Sequence, residues 1–106
     1  MSGRKNLGEF EQLLLLAVMR LGEDAYGVTV RREVEARTGR EVSLGAIYPT
    51  MARLEKKQLV SSFPSEPTGE RGGRSRRCFR LEPAGRHALE EARSMIDSMW
   101  DGFEEG

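Results

Sequence analysis

The stretch from residue 43 to residue 60, SLGAIYPTMARLEKKQLV, constrains the fold more than any other part of the chain. Its apolar residues recur at spacings of three and four, which places them on one face of a helix. They are Leu44, Ile47, Met51 and Leu54. Ser43 precedes them and is a favourable N-cap, because its hydroxyl can accept a hydrogen bond from a first-turn amide. A helix from Leu44 to Lys57 would be about 21 Å long, which suits a helix lying across a DNA major groove roughly 12 Å wide.

The opposite face of this helix carries groups that can approach, hydrogen-bond or neutralise a phosphate backbone. They are Gly45, Tyr48, Thr50, Arg53, Lys56 and Lys57. Most charged helix faces are only solvated, so this pattern alone also fits a helix whose charges keep the protein soluble. Pro49 lacks the amide that would bond to the carbonyl of Gly45, and we therefore expect a tightened or slightly bent first turn.

The size and composition of the chain limit the classes of protein to which it can belong. Its 106 residues fit one domain with a modest core. The longest apolar run, 13–19, is too short to span a bilayer, and the first ten residues lack an apolar signal core. A single cysteine, Cys78, excludes an intramolecular disulfide and a cysteine-based zinc site. We therefore expect a cytoplasmic protein with no membrane partner.

The formal net charge of zero conceals opposite charges in the two parts of the chain. Residues 1–81 contain 15 Lys and Arg against 10 Asp and Glu, a net charge of +5. Residues 82–106 contain 2 against 7, a net charge of −5. This asymmetry indicates that the first part of the chain contacts a polyanion and that the last part does not.

Two further helices are predicted before Ser43. Residues 8–21 form the first, which is apolar nearly all round, so we expect a second apolar face to contact another subunit. That face contains Leu15, Leu16 and Met19. Residues 26–38 form the second, which ends at Gly39. Two helices joined by a tight turn are typical of a helix-turn-helix unit, in which the second helix contacts DNA bases.

A β-hairpin is predicted after the Ser43 helix. Residues 59–63 and 75–81 are rich in β-branched, aromatic and small residues, and they flank a loop rich in Pro and Gly. Phe79 should face the core, because it alternates along its strand with Cys78 and Arg80. The tip of the hairpin lies near Arg71, Gly72, Gly73 and Arg74.

Five arginines fall within ten residues of this hairpin, with no acidic residue among them: Arg71, Arg74, Arg76, Arg77 and Arg80. Positive charge on an edge hairpin also prevents strand-on-strand aggregation. Directly after a helix-turn-helix, we favour a wing whose arginines contact phosphates or enter the minor groove.

The last predicted helix, residues 83–103, combines a wide apolar stripe with an acidic outer face. Three heptads cannot sustain a free coiled coil, so we expect this helix to pack against the first helix of a second copy. Its predicted interface residues are Leu89, Ala92, Ile96, Met99 and Phe103. The chain thus divides into a winged helix-turn-helix part, 1–81, and a C-terminal dimerisation helix, 82–106.

No pattern in the sequence supports catalysis, a metal site or a cofactor. The one histidine, His87, is interpreted as a solvated helix residue, and no His, Cys and Asp cluster has metal-ligand spacing. Cys78 beside basic residues is a candidate redox-sensitive thiol. The simpler interpretation of Cys78 is a small filler residue.

The chain resembles the PadR family of winged helix-turn-helix transcriptional regulators over nearly its whole length. The resemblance rests on LGEFEQLLLLAVMRLG, AYGVTVRREVE, SLGAIYPTMARLEKKQLV and RGGRSRRCFRLEPAG. It implies a mainly α fold with a small β-hairpin, in the order helix, helix, helix, strand, strand, helix. The short C-terminal helix is similar to that of the smaller family members. Cys78, where the family often has an aromatic residue, and Glu82, where Thr often caps the last helix, depart from the pattern.

The resemblance also implies a function. It implies a homodimer that binds a pseudo-palindromic operator in double-stranded DNA, usually as a repressor. The positions that match DNA-contacting elements are Tyr26, Ser43, Gly45, Tyr48, Thr50, Arg53 and the wing from Gly72 to Arg77. Members often respond to aromatic compounds, so Trp100, with Met99 and Phe103, is a candidate effector site, although Trp100 also fits simple interface core. The alternative function is a winged-helix adaptor that binds protein without specific DNA recognition.

Overall fold

The computed structural model describes residues 6–65 and 76–103. Within them, four helices and a two-stranded antiparallel hairpin follow in the predicted order, which confirms the predicted fold class. The helices are α1 (Glu9–Leu21), α2 (Gly27–Thr38), α3 (Leu44–Lys56) and α4 (Pro83–Trp100), and the strands are β1 (Val60–Pro64) and β2 (Arg77–Leu81). A 3₁₀ turn, Gly22–Asp24, follows α1. In the described part of the chain, no helix is both long enough and apolar enough to cross a membrane.

Local sequence explains where the helices begin and end. The predicted cap of α3 is confirmed, because the Oγ of Ser43 accepts a hydrogen bond from the amide of Ala46 at 3.1 Å. The helix then continues through Pro49. Gly39 ends α2 with a φ of 75°, a left-handed conformation that favours glycine. Pro83 occupies the first turn of α4, where its missing amide removes no helical hydrogen bond.

The core lies where α1, α2, α3 and the hairpin meet. Its largest fully buried side chains are Leu14, Leu15, Val18, Val30, Ile47, Met51, Leu54 and Val60. Phe79 is 3 % exposed, which confirms that it faces the core. Burial of each large aliphatic side chain contributes about 1.5–3 kcal/mol. This cluster therefore fixes α3 against the rest of the protein and leaves one face of α3 outside.

The two strands of the hairpin pair with each other, and β2 also hydrogen-bonds to the segment before α2. Val60 pairs with Leu81 and Pro64 with Arg77. On the other edge of β2, the amide of Phe79 donates to the carbonyl of Ala25 at 2.9 Å. The second strand of the hairpin is therefore attached to the segment that leads into α2. The predicted hairpin tip, Arg71 to Arg74, lies outside the described residues.

Three of the residues predicted for a subunit interface are buried within the protomer. Leu15 is fully buried inside the protomer, so its placement in an interface is wrong. Leu89 and Ala92 are only 8 % and 9 % exposed, because α4 packs along α1 and covers them. The helix predicted to reach residue 103 ends at Trp100. The apolar side chains that remain exposed on these two helices are Leu16, Met19, Met95, Ile96, Met99 and Trp100.

Candidate nucleic-acid interface

The outer face of α3 consists of the side chains that the core does not cover. The inner face, with Ile47, Met51 and Leu54, is at most 1 % exposed. The exposed residues are Gly45, Ala46, Tyr48, Pro49, Ala52, Arg53, Glu55 and Lys56. The apolar stripe therefore anchors the helix and presents Tyr48 and Arg53 to solvent, as the sequence predicts. Pro49 and Ala52 are not among the predicted contact residues, but they fall on the same face at helical spacing from Gly45, and this spacing could have identified them.

Thr50 does not lie on this face. It is 4 % exposed, so the prediction that its side chain is available at the surface is wrong. Its Oγ1 donates to the carbonyl of Ala46 at 2.9 Å and accepts a hydrogen bond from Nη2 of Arg53 at 3.2 Å. Thr50 therefore acts on the outer face indirectly, by holding the guanidinium of Arg53.

Lys57 is occupied by a contact with α1. Its Nζ lies 3.3 Å from Oε2 of Glu11, and the two side chains are 31 % and 13 % exposed. The other carboxylate oxygen of Glu11 accepts a hydrogen bond from the amide of Gly8 at 2.9 Å. This pairing argues against the predicted DNA contact of Lys57. The neighbouring Lys56 is exposed on the outer face of α3.

Tyr26 lies where the start of α2 meets the wing. It forms an isolated β-bridge with Cys78, and its amide donates to Oγ1 of Thr29 at 3.0 Å. The guanidinium carbon of Arg76 lies 4.4 Å from the centroid of the Tyr26 ring, within the range of a cation–π interaction. Arg76 and Arg77 are exposed at the base of the wing. The structure therefore brings Tyr26 and the wing base together, and Arg71, Gly72, Gly73 and Arg74 lie outside the described residues.

Tyr48 also touches α2. Its phenol lies against Gly27, the first residue of that helix. Tyr48 is 44 % exposed, so part of the side chain is covered by α2 and part faces solvent. The sequence gives no sign of this contact, because it depends on the distance between two helices.

A second surface exposes large apolar side chains of α1 and α4. Leu16 and Met19 are 38 % and 39 % exposed, and Met99 is 76 % exposed. The groove between the two helices has a volume of about 440 Å³ and is lined in part by Leu16, Met19 and Ile96. Trp100 is 57 % exposed near the end of α4. Exposed apolar side chains around a groove are typical of interaction sites, and charged residues, among them Arg86, Arg93 and Asp97, line the same groove.

Residues 6–65 and 76–103 contain no group of three or more His, Cys, Asp or Glu that could hold a metal ion. Cys78 is buried, with 5 % exposure, which fits its interpretation as a core-filling residue.

Comparison with known proteins relates the chain to transcriptional regulators. The sequence model of the Transcriptional regulator PadR-like family matches residues 15–91. The chain is 37 % identical over 76 residues to Transcriptional regulator Rv3488 of Mycobacterium tuberculosis, covering 72 % of this chain and 66 % of that protein. It is 39 % identical over 85 residues to an uncharacterized 37.1 kDa protein in transposon TN4556 of Streptomyces fradiae, covering 79 % of this chain and 22 % of that protein.

Solved structures share the fold. A PadR family transcription regulator from Clostridium difficile R20291 has a TM-score of 0.72 and 22 % identity, with 91 % of this chain and 98 % of that chain covered. The complex structure of hsRosR-S1 has a TM-score of 0.69 and 25 % identity, with 91 % and 78 % covered. Since the family model extends from α1 into α4, the protein belongs to the PadR-like family of transcriptional regulators.

Proposed function

We propose that the protein is a sequence-specific DNA-binding regulator that acts as a homodimeric repressor. The observation that carries this proposal is the outer face of α3, which is anchored by a buried stripe and exposes Tyr48, Arg53 and Lys56. The base of an arginine-rich wing lies beside the start of α2. In a helix-turn-helix protein, the helix equivalent to α3 enters the major groove. Membership of a family of transcriptional regulators supports the same conclusion.

The residues of this face divide by the DNA groups that they can contact. Arg53 can donate two hydrogen bonds to O6 and N7 of guanine, and the phenol of Tyr48 can hydrogen-bond a base edge. Pro49 and Ala52 have no hydrogen-bonding side chain and suit the methyl group of thymine. Phosphate contacts set position but carry no sequence information, and we assign them to Tyr26, Ser43, Gly45, Lys56, Arg76, Arg77 and the wing residues Arg71 to Arg74.

The homodimer is supported by the apolar surface of α1 and α4. A second copy related by a two-fold axis would cover Leu16, Met19, Ile96 and Met99 and would bury the same patch on both subunits. It would also place the two α3 helices about 34 Å apart, in successive major grooves. The acidic residues of α4 would be repelled by phosphates, which fits a dimerisation arm held away from DNA.

The DNA-binding proposal is tested by selecting retained fragments from random DNA at near-physiological salt. We expect an enriched inverted repeat whose half-sites lie one helical turn apart. Tyr48→Ala and Arg53→Ala should weaken binding to this repeat more than binding to random DNA, whereas Arg77→Ala should weaken both alike. Equal losses on both DNAs for every variant would defeat the assignment of base contacts to α3. No retention of DNA would favour the protein-binding adaptor instead.

The dimer is tested by sedimentation equilibrium of Leu16→Asp and the wild type. A charge placed in the covered patch should shift the variant to monomer while leaving its helical content unchanged. Leu15→Ala is the matched control for a loss of stability. It should lower the free energy of unfolding by about 2–5 kcal/mol through cavity formation, but it places no charge on the apolar surface, because Leu15 is buried within the protomer. A wild type that stays monomeric at micromolar concentrations would refute the dimer.

Repression and an effector are further parts of the proposal. Transcription from a promoter that contains the selected repeat should fall when the protein is added. A small aromatic effector that binds at the dimer contact should quench the fluorescence of Trp100, which lies beside Met99 in sequence and is exposed. Unchanged emission over a broad panel of planar hydrophobic compounds would count against this effector site.

A further inference from the structure

Gly27 begins α2 and is buried, yet its backbone does not require glycine. The described glycines with positive φ are Gly22, Gly39 and Gly102. Gly27 is therefore in a helical conformation that other residues can also adopt. Backbone freedom does not explain the residue at this position.

Space explains it. A Cβ at residue 27 would overlap the hydroxyl oxygen of Tyr48, and it would lie 2.6 Å from Cζ and 3.2 Å from Cε1 of the same ring. All three atoms belong to one side chain on α3. The phenol of Tyr48 therefore rests directly on the backbone of the first turn of α2, at a place that only the missing side chain of Gly27 leaves open.

We propose that Gly27 is a positioning residue that fixes the phenol of Tyr48 for contact with a base, so that the first turn of α2 helps to set the specificity of α3. This inference rests on the proposed function, in which Tyr48 contacts the operator. An alanine at residue 27 would push the ring into another rotamer, which a half-exposed side chain can adopt at little cost to folding. The hydroxyl would then leave hydrogen-bonding range of its base edge, because such bonds weaken steeply with distance and angle.

The change in side-chain position caused by Gly27→Ala should be confined to Tyr48. Arg53, the other side chain that we assign to hydrogen bonds with a base, is held separately by Oγ1 of Thr50 at 3.2 Å. Arg76 and Arg77, which we assign to phosphates, lie at the wing base, where Arg76 stacks on Tyr26. Gly27→Ala should therefore remove one base contact and leave non-specific binding to phosphates intact.

A double-mutant cycle on the full chain tests this proposal. Wild type, Gly27→Ala, Tyr48→Ala and the double variant are titrated with the selected operator and with random DNA. We expect Gly27→Ala to weaken operator binding about tenfold, as for one lost base contact, and random DNA less than about twofold. In the Tyr48→Ala background it should have no further effect, because no phenol remains to be displaced. Additive losses in the cycle would overturn the proposal.

A measurement without DNA separates this proposal from the proposed function. In protein with labelled aromatic residues, the ring resonances of Tyr48 should shift in Gly27→Ala, while the indole resonance of Trp100 stays in place. Gly8→Ala is the matched control, because its Cβ would meet nothing closer than Oε1 of Glu11 at 3.8 Å. Unmoved Tyr48 resonances would overturn the positioning role even in a protein that binds its operator. Shifted resonances in a protein that binds no operator would overturn the proposed function, and with it the role in specificity.

Discussion

Replacement of Thr50 by Val and by Ser separates the orientation of Arg53 from the packing of α3. The hydroxyl of Thr50 accepts from Nη2 of Arg53 and donates to the carbonyl of Ala46, while its methyl group is buried with the rest of the side chain. Val keeps apolar bulk and loses the hydroxyl. Ser keeps the hydroxyl and loses the methyl group. The pair therefore removes one property at a time.

The two Thr50 variants should lose similar stability but differ in DNA binding. Thr50→Ser removes one buried methyl group, which costs about 0.8 kcal/mol and slightly more for the cavity. Thr50→Val loses a hydrogen bond that contributes about 0.5–1.5 kcal/mol, partly offset by the added apolar group. In Thr50→Val, Arg53 is free in the unbound protein, and its ordering on binding costs about 0.5–1.5 kcal/mol. Operator affinity should fall roughly two- to twelvefold.

Urea denaturation gives the stability of each Thr50 variant, and fluorescence anisotropy with labelled operator gives its affinity. Thr50→Ser should bind within about twofold of the wild type, because its hydroxyl can still hold Arg53. Repeating the titrations with Arg53→Ala should abolish the difference between Val and Ser. Equal affinity of the two variants would refute the role of the hydroxyl, and a difference that persists without Arg53 would show that Thr50 acts through another group.

Two further predictions concern charged side chains. Lys56→Met should reduce the slope of log affinity against log salt by about 0.9, the value for one phosphate contact, whereas Lys57→Met should leave the slope unchanged because its ammonium is paired with α1. Hydrogen bonds from Arg37 and then Arg20 lower the pKa of Glu33 from its ordinary value of 4.5. Because the folded-state pKa is the lower one, this stabilisation is present above pH 4.5 and disappears as the pH falls through the folded-state pKa. The difference in urea unfolding midpoint between the wild type and Glu33→Gln should therefore vanish in acid. A difference that stays constant with pH would contradict a stabilising role of the Glu33 carboxylate.

Local patterns predict the elements and the outer face of α3 well. The Ser43 cap, the end of α2 at Gly39 and the burial of Phe79 all follow from residues close together in the chain. The exposure of Tyr48 and Arg53 follows from the position of each residue around a single helix. These features depend on helix and strand periods, which a sequence displays directly.

The errors arise where one element covers another. The nearly all-round apolar surface of α1 predicts a partner for Leu15, but α2, α3, α4 and β2 of the same chain all contact α1, and Leu15 is fully buried within the protomer. Thr50 lies at the edge of the buried stripe of α3, so its side chain turns inward and bonds Arg53. Lys57 meets Glu11, which lies 46 residues earlier. Such contacts depend on the packing distances between helices, which periodicity does not specify.

The atoms that face Gly27 and Gly85 determine whether substitution by alanine affects a side-chain position or the stability of the fold. A Cβ at Gly85 would overlap the carbonyl oxygen of Leu59, which is held in place by a hydrogen bond from the amide of Glu82 at 3.0 Å. A backbone carbonyl cannot rotate away as a phenol can, so Gly85→Ala should cost about 1–3 kcal/mol of folding free energy through overpacking. Gly27→Ala displaces a side chain instead and should leave the thermal midpoint nearly unchanged. Equal midpoints for the two variants would mean that α4 can shift away from Leu59, and the close approach of α4 to the hairpin would then contribute little to the fold.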